Sequence, residues 1–133
     1  MGVEKGAMKV LTVEDSRVVT NMVRISLEKQ KIECETAGDG VDALRKMKAA
    51  SPRYDCVLVD INMPKMDGME MMRQVRKHLP AYSSVPFVFL TTSGDETLKK
   101  EARTLGVRAW MKKPFSPEKL IEIVQKFSHP VHQ

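Results

Sequence analysis

Five polar side chains of complementary chemistry recur at matching places in this sequence. Each comes at or just after the end of a short apolar run: Glu14, Asp15, Asp60, Thr91 and Lys113. If the runs are parallel strands, right-handed crossovers bring their C-terminal ends to one edge of a sheet, where open α/β folds bind ligands. Three carboxylates, a hydroxyl and an ammonium are therefore expected to converge.

The charges of this group indicate a metal ion. At about 5 Å and an effective dielectric near 20, each pair of carboxylates repels by roughly 3 kcal/mol. Lys113 supplies one compensating charge, and a hard divalent cation bound through oxygen, Mg²⁺, supplies the rest. We expect Glu14, Asp15 and Asp60 to be its side-chain ligands, with the main-chain carbonyl of Asn62 as a further one.

A phosphoryl group gives every member of the set a role. A carboxylate can accept this group as an aspartyl phosphate, and the transfer requires positioning and charge neutralisation. Asp60 would be the acceptor, Lys113 would pair with a phosphoryl oxygen, and the Thr91 hydroxyl would hydrogen-bond to the product. Taken singly, each residue is better explained as a turn, cap or surface residue. Their conjunction reverses this and favours the site.

The elements that must position these residues alternate along the chain. Apolar runs at 10–13, 32–37, 56–59, 87–90 and 109–111 predict five strands. Between and after them, apolar residues recur at helical spacing: Val19, Val23 and Leu27; Val41, Leu44 and Met47; Met69, Met72 and Val75; Leu98, Ala102 and Leu105; Leu120, Ile121, Val124 and Phe127. Ser16 and Ser116 are expected to cap the first and last helices. The pattern predicts five β-α units around a central parallel sheet.

Composition is that of an ordinary globular protein. The chain has 133 residues, of which 29% are charged and 42% apolar, enough for one domain. We expect this domain at 9–127, between flexible segments at 1–8 and 128–133. No apolar stretch reaches membrane-spanning length and no secretory signal is evident, so a cytoplasmic location is expected.

The sulfur-containing residues are interpreted as core residues. Cys34 and Cys56 fall inside predicted strands without metal-ligand or redox spacing, which favours small buried hydrophobes. Five methionines follow the third strand and could either fill gaps in the core or form an adaptable binding surface. Gap filling is the favoured interpretation for this set: Met63, Met66, Met69, Met71 and Met72.

Four segments resemble the receiver domain of two-component response regulators, especially single-domain, chemotaxis-type members. They are VLTVEDSR at 10–17, DINMPKMDG at 60–68, LTT at 90–92 and KKPF at 112–115. The resemblance implies a doubly wound, flavodoxin-like (βα)5 fold with strand order 2-1-3-4-5. It also implies Mg²⁺-dependent phosphorylation of Asp60 by a histidine kinase or a histidine phosphotransfer protein.

Finer features follow from the same resemblance. It implies a cis bond before Pro114 that aims Lys113 inward, and tuning of the phosphate lifetime at Asn62 and Ser93. The sequence departs from many relatives at Glu14, where they carry Asp, which bears on metal affinity.

The resemblance also implies a switch and an output surface. Thr91 would move toward the phosphoryl group and Trp110 would turn inward behind it; the alternative, that Trp110 is only a large half-buried strand residue, is less favoured. The output face would be helix 4, strand 5 and helix 5. Residues 99–126 contain eight basic and three acidic residues, so they carry +5, equal to the net charge of the chain.

This charge suggests an acidic protein partner, while a solvated basic surface without a dedicated partner is the alternative. Nucleic acid is not expected, because no groove-reading module is present.

Two other functions are consistent with parts of the pattern. An aspartate-nucleophile phosphatase of the haloacid dehalogenase type would use Asp60, but it requires a second aspartate where this chain has Asn62. A receiver that binds partners without phosphorylation is disfavoured by the complete acceptor set. We therefore expect a signalling switch that catalyses only its own phosphorylation and dephosphorylation.

Overall fold

Strands and helices alternate along the chain as the apolar pattern predicts. The computed structural model describes residues 8–63, 65–92 and 96–128, and within these ranges five strands alternate with five α-helices. The strands are β1 (Lys9–Val13), β2 (Glu33–Ala37), β3 (Cys56–Asp60), β4 (Phe87–Thr91) and β5 (Ala109–Lys112). The helices are α1 (Arg17–Lys29), α2 (Gly40–Ala49), α3 (Gly68–His78), α4 (Glu96–Thr104) and α5 (Pro117–Ser128), with a 3-10 turn at Pro80–Tyr82.

Parts of the expectations lie outside the described residues. Most of the two terminal segments expected to be flexible falls there, at residues 1–7 and 129–133. Ser93, expected to tune the phosphate lifetime, also lies outside the described residues.

The sheet is parallel throughout and has the order β2-β1-β3-β4-β5. The predicted doubly wound, flavodoxin-like α/β fold with order 2-1-3-4-5 is confirmed. The order in which successive strands are added to the sheet reverses between β1 and β3, so a crevice forms outside the C-terminal ends of these two strands. Those two strands carry Glu14, Asp15 and Asp60.

Each strand contributes to two separate cores because alternate residues face opposite sides of the sheet. On β3, Val57 and Val59 join the cluster under α2, α3 and α4, which includes Met47 and Ala102. Cys56 and Leu58 join the cluster under α1 and α5, together with Leu27, Leu120 and Val124. Burial on both faces explains why β3 and β4 are apolar at nearly every position.

Side-chain caps fix where the helices begin. The Ser16 hydroxyl accepts from the Val19 N–H at 3.3 Å, and the Ser116 hydroxyl accepts from the Lys119 N–H at 3.1 Å. Both predicted caps are confirmed. Two aspartates that precede glycines are caps as well: Asp39 and Asp67 accept main-chain N–H groups at the starts of α2 and α3.

The structure corrects two details of the pattern. Val41, expected on the apolar stripe of α2, is 52% exposed, because the buried stripe runs through Ala43 and Met47 and Val41 lies off it. β3 and β4 each extend one residue beyond the predicted runs, so Asp60 and Thr91 end their strands rather than follow them. Pairing with the neighbouring strand holds both residues in the sheet.

The sulfur-containing residues pack as expected. Cys34 and Cys56 are buried free thiols, and burial raises the pKa of Cys56 to about 12, far from reactive thiolate chemistry. Met69, Met71 and Met72 are buried in the core, while Met63 and Met66 pack against it partly buried. The methionines therefore fill the core under α3. Among the described residues, no helix is both long and apolar enough to cross a bilayer.

Candidate functional site

Three carboxylates meet at the C-terminal edge of the sheet. Glu14 and Asp15 directly follow β1, Asp60 ends the adjacent β3, and one oxygen from each lies within 4.8 Å of the others. Glu14 and Asp60 are 3% and 5% exposed, whereas Asp15 faces solvent. The predicted convergence of the three carboxylates is confirmed.

Lys113 reaches this cluster from the loop after β5. Its Nζ lies 2.8 Å from Glu14 Oε1 and 3.2 Å from Asp60 Oδ2. Its main-chain N–H donates to the Thr91 carbonyl at 2.8 Å, which ties the start of the loop to β4. The Lys113–Pro114 bond is cis, as the family resemblance implies. One ammonium therefore bridges two buried carboxylates from different strands.

Burial and neighbouring charges shift the pKa values of Glu14 and Lys113. Burial raises the pKa of Glu14; the hydrogen bond from Lys113 counters this in part, and the charge of Asp60 raises it further. Burial opposes the charge of Lys113, yet the hydrogen bond to Glu14 and the charges of both carboxylates raise its pKa overall. The cluster thus keeps its lysine charged.

The backbone after β3 holds Asp60 in place. The Asn62 N–H donates to Asp60 Oδ1 at 3.0 Å, and the Gly68 N–H donates to the Ile61 carbonyl at 3.1 Å. A Cβ at Gly68 would lie 3.0 Å from Ile61 Cα and 3.1 Å from the Asp60 carbonyl oxygen. Glycine therefore lets the start of α3 approach the backbone at Asp60 and Ile61 closely, a requirement that the sequence pattern did not reveal.

Thr91 and Trp110 lie on β4, which pairs with β3, and on β5, which pairs with β4. Thr91 ends β4 and is 2% exposed. Trp110, on β5, is partly buried and meets Phe89 edge-to-face, with ring centroids 5.5 Å apart. Lys99 of α4 places its Nζ 5.9 Å from the centroid of the indole. The tryptophan is therefore both a packed strand residue and a contact to α4.

The donor atoms fit a hard divalent cation. With Lys113 as the compensating cation, the three carboxylates leave a formal charge of −2 at one point. Carboxylate and carbonyl oxygens are the ligands that Mg²⁺ prefers. Asn62 is exposed and lies two residues after Asp60, and its N–H donates to Asp60 Oδ1.

A cleft of about 380 Å³ extends from the acidic cluster between α1 and the loop before α2. Its lining begins at Glu14 and Asp15 and continues with polar residues of α1 and β2: Arg17, Thr20, Asn21, Arg24 and Thr36. Sequence patterns did not indicate this cleft, because its two walls are formed by segments distant in sequence.

Comparison with known proteins identifies the family. The sequence-family model of the response regulator receiver domain matches residues 10–125. The chain belongs to the response regulator receiver family. This receiver domain is 36% identical over 115 residues to the chemotaxis protein CheY of Treponema pallidum, a match that covers 86% of this chain and 78% of that protein. Receiver domains are the signalling switches of two-component systems.

A longer relative and two solved structures are also similar to the receiver domain. The transcriptional regulatory protein PhoP of Bacillus subtilis is 32% identical over 112 residues, which are 84% of this chain and 45% of PhoP. CheY4 of Vibrio cholerae superposes with a TM-score of 0.85 at 38% identity, over 91% of this chain and 98% of the other.

The second structure is the receiver domain of the sensor histidine kinase PA1611 of Pseudomonas aeruginosa. It has a TM-score of 0.80 and 25% identity, over 92% of this chain and 98% of the other. That structure has a magnesium ion coordinated in its active site cleft.

Proposed function

We propose that this protein is a phospho-accepting response regulator. Asp60 receives a phosphoryl group from a histidine kinase or a histidine phosphotransfer protein, in a reaction that requires Mg²⁺. Phosphorylation then changes partner binding on the face formed by α4, β5 and α5, and residues 9–127 carry this function. The observation that supports the proposal best is the bridging of Glu14 and Asp60 by Lys113 beside a third carboxylate.

The chemistry assigned to Asp60 is the transfer of a phosphoryl group from a phosphohistidine donor to a carboxylate acceptor. A carboxylate oxygen of Asp60 forms the new P–O bond, while the bond from phosphorus to the donor's histidine nitrogen breaks and its electron pair stays on the imidazole. The hydrogen bond from the Asn62 N–H to Asp60 Oδ1 orients the carboxylate for this attack. Hydrolysis later returns free aspartate and inorganic phosphate.

The remaining charges stabilise the transferred group. Lys113 is expected to pair with one phosphoryl oxygen, and the Thr91 hydroxyl is expected to donate to another. Bound Mg²⁺ would neutralise further oxygen charge, and Glu14, Asp15, Asp60 and the Asn62 carbonyl would hold it. The coordinated magnesium of the similar PA1611 receiver domain supports this assignment.

Exposed apolar residues at the site edge suit a protein as donor. Val18, in the first turn of α1, is 80% exposed, and Val41, in the first turn of α2, is 52% exposed. Both helices start at the C-terminal edge of the sheet, on either side of the cleft beside Glu14 and Asp15. We expect a phosphohistidine-bearing protein to cover these side chains when it reaches Asp60.

Chemical labelling tests the acceptor directly. The protein is incubated with Mg²⁺ and acetyl phosphate, and the adduct is located by mass spectrometry after its acid stability and base lability are verified. Asp60→Asn should abolish the adduct. Asp42→Asn, which removes a surface carboxylate paired with Arg45 and Lys46, is the matched control and should be labelled normally.

The same experiment separates the alternatives. An adduct that persists in Asp60→Asn would refute the assignment of the acceptor. Repeated turnover of phosphate esters would favour an aspartate-nucleophile phosphatase, which Asn62 disfavours. Unchanged partner binding with and without the adduct would favour a receiver that acts without phosphorylation.

The switch is assigned to Thr91 and Trp110. Movement of Thr91 toward the phosphoryl group would open space along β4, and Trp110 on the neighbouring strand would turn into it. Trp110 lies opposite Phe89, and Phe89 is two residues before Thr91 on β4. The movement of Thr91 and the turning of Trp110 therefore involve the same pair of strands. Lys99 links the indole to α4, which would carry the change to the output face.

The output face is basic in a way that suits an acidic protein partner. Most of its cations are exposed: Lys100, Arg103, Arg108, Lys112, Lys119 and Lys126. One of its acids, Glu101, pairs with Arg73 of α3 and leaves these cations in excess. Partner binding should weaken steeply as salt rises, whereas binding that is insensitive to salt would refute an electrostatic interface.

A further inference from the structure

A small groove lies between α2 and α3, at the end of the molecule far from the acceptor. Its volume is about 220 Å³, and its lining is Leu44, Arg45, Lys48, Gln74, His78 and Leu79. Leu44 and Leu79 are partly buried and pack on the core, so they form an apolar floor. Because both helices run back from the site edge, their C-terminal ends, and the groove with them, lie at the opposite edge of the sheet.

Two cations line this groove, Arg45 and Lys48, together with His78. Arg45 pairs with Asp42, which neutralises its charge. Lys48, which lines the groove, is exposed and has no carboxylate within 4.0 Å among the described residues.

Basic residues in a last helical turn also stabilise the helix dipole. That role explains the lysines of α2 and α3, but it does not explain an open apolar floor between them. An apolar hollow with a positive rim has the chemistry of a docking site for a segment that combines negative charge with one apolar side chain. Its volume is below the usual range for small-molecule pockets, which favours a single anchoring side chain.

We propose that the groove between α2 and α3 binds an acidic protein segment that inserts one large apolar residue between Leu44 and Leu79. Lys48 attracts the flanking carboxylates of that segment, and His78 borders the inserted side chain. The site is distant from Asp60, so this binding does not require phosphorylation. It would give the protein a second contact, separate from both the donor and the output face.

Peptide titration tests the proposal on the intact chain. The probe is a seven-residue peptide with a central phenylalanine between two sets of three glutamates, added to isotope-labelled protein. The methyl NMR signals of Leu44 and Leu79 should shift on binding. The same peptide with a central glycine, or with lysines as flanks, should bind much more weakly.

Two charge-reversal variants distinguish binding in the groove from nonspecific attraction of the peptide to basic residues. Lys48→Glu should weaken binding of the phenylalanine peptide about fivefold, since it turns an attraction at the rim into a repulsion. Lys77→Glu makes the same change on an exposed lysine of α3 that does not line the groove, and it should have less than half that effect on the dissociation constant.

The proposal is overturned if both reversals weaken binding equally, if the glycine peptide binds as well, or if the two leucine signals do not move. Shifts that depend on protein concentration without peptide would instead identify a second copy of the chain as the occupant.

Discussion

Replacing Asp15 by asparagine should stabilise the metal-free protein, although most substitutions destabilise. Asp15 is exposed, makes up one third of the carboxylate cluster, and lies within 4.8 Å of Glu14 and Asp60 through their nearest oxygens. Asparagine keeps the size and shape of the side chain and removes only its charge. Without a metal ion, the change relieves repulsion that folding otherwise imposes.

The size of the effect follows from Coulomb's law. At 4.8 Å and a dielectric near 80, appropriate for an exposed group, each carboxylate pair repels by about 0.9 kcal/mol. Asp15 takes part in two such pairs, and its lost attraction to Lys113 offsets some of the gain. The net stabilisation is about 1 kcal/mol, which corresponds to a rise in Tm of about 4 °C for a chain of this size.

Magnesium should remove most of this difference in stability between the variant and the wild type. A site with a Kd of about 1 mM stabilises the wild type by roughly 1.4 kcal/mol at 10 mM Mg²⁺. Asp15→Asn loses a ligand and should gain less than about 0.5 kcal/mol at the same concentration. Thermal unfolding followed by circular dichroism, in a chelator and then in 10 mM Mg²⁺, measures both effects.

Asp42→Asn is the control for this pair of measurements, because Asp42 is a carboxylate with cationic partners rather than anionic neighbours. It should leave the Mg²⁺ shift unchanged and should not raise Tm. Lower stability of Asp15→Asn in chelator, or a full Mg²⁺ shift in that variant, would refute the electrostatic reasoning. High salt should shrink the gain, since it screens exposed charges.

Three further changes probe other parts of the site. Lys113→Met leaves two buried carboxylates without their cation, so it should lower the free energy of unfolding by about 3 kcal/mol in chemical denaturation and reduce labelling by acetyl phosphate; unchanged stability would contradict the bridging role. Gly68→Ala places a Cβ 3.0 Å from main-chain carbon and should destabilise by about 1–3 kcal/mol and slow labelling. Gly38→Ala, whose Cβ would meet nothing within 4 Å, is its control, and equal effects would exclude the steric explanation. Trp110 is the only tryptophan, so the fluorescence of the protein reports on it, and this fluorescence should change when the indole turns on phosphorylation. Lys99→Met should alter the equilibrium between the two positions of the indole about two- to fivefold. Emission that is identical with and without the phosphoryl group would refute the assigned switch.

The fold was predictable because its signals are local. The continuous apolar runs of β3 and β4 mark strands buried on both faces, and the caps Ser16 and Ser116 mark helix starts. Where the local signal was ambiguous, the expectation was wrong. Val41 fits a helical repeat with Leu44 and Met47, yet a helix with a narrow buried stripe leaves it exposed.

The members of the site were predictable because strand ends of a parallel sheet share one edge. Glu14 and Lys113 are 99 positions apart, and strand topology alone brings them together. The distances could not be predicted, since they depend on the register of neighbouring strands and on the direction of each side chain. The close approach at Gly68, the exposure of Val18 and the groove beside Lys48 likewise arise only when distant segments pack.

The sequence by itself determined which elements form, their parallel arrangement, and which charged groups belong to one edge of the sheet. Periodicity and residue type encode these features along the chain. Only the tertiary structure decided that Lys113 bridges Glu14 and Asp60, that Asp15 remains in solvent, and that Lys99 lies over Trp110. Those contacts join residues from separate elements, and packing in three dimensions sets their distances.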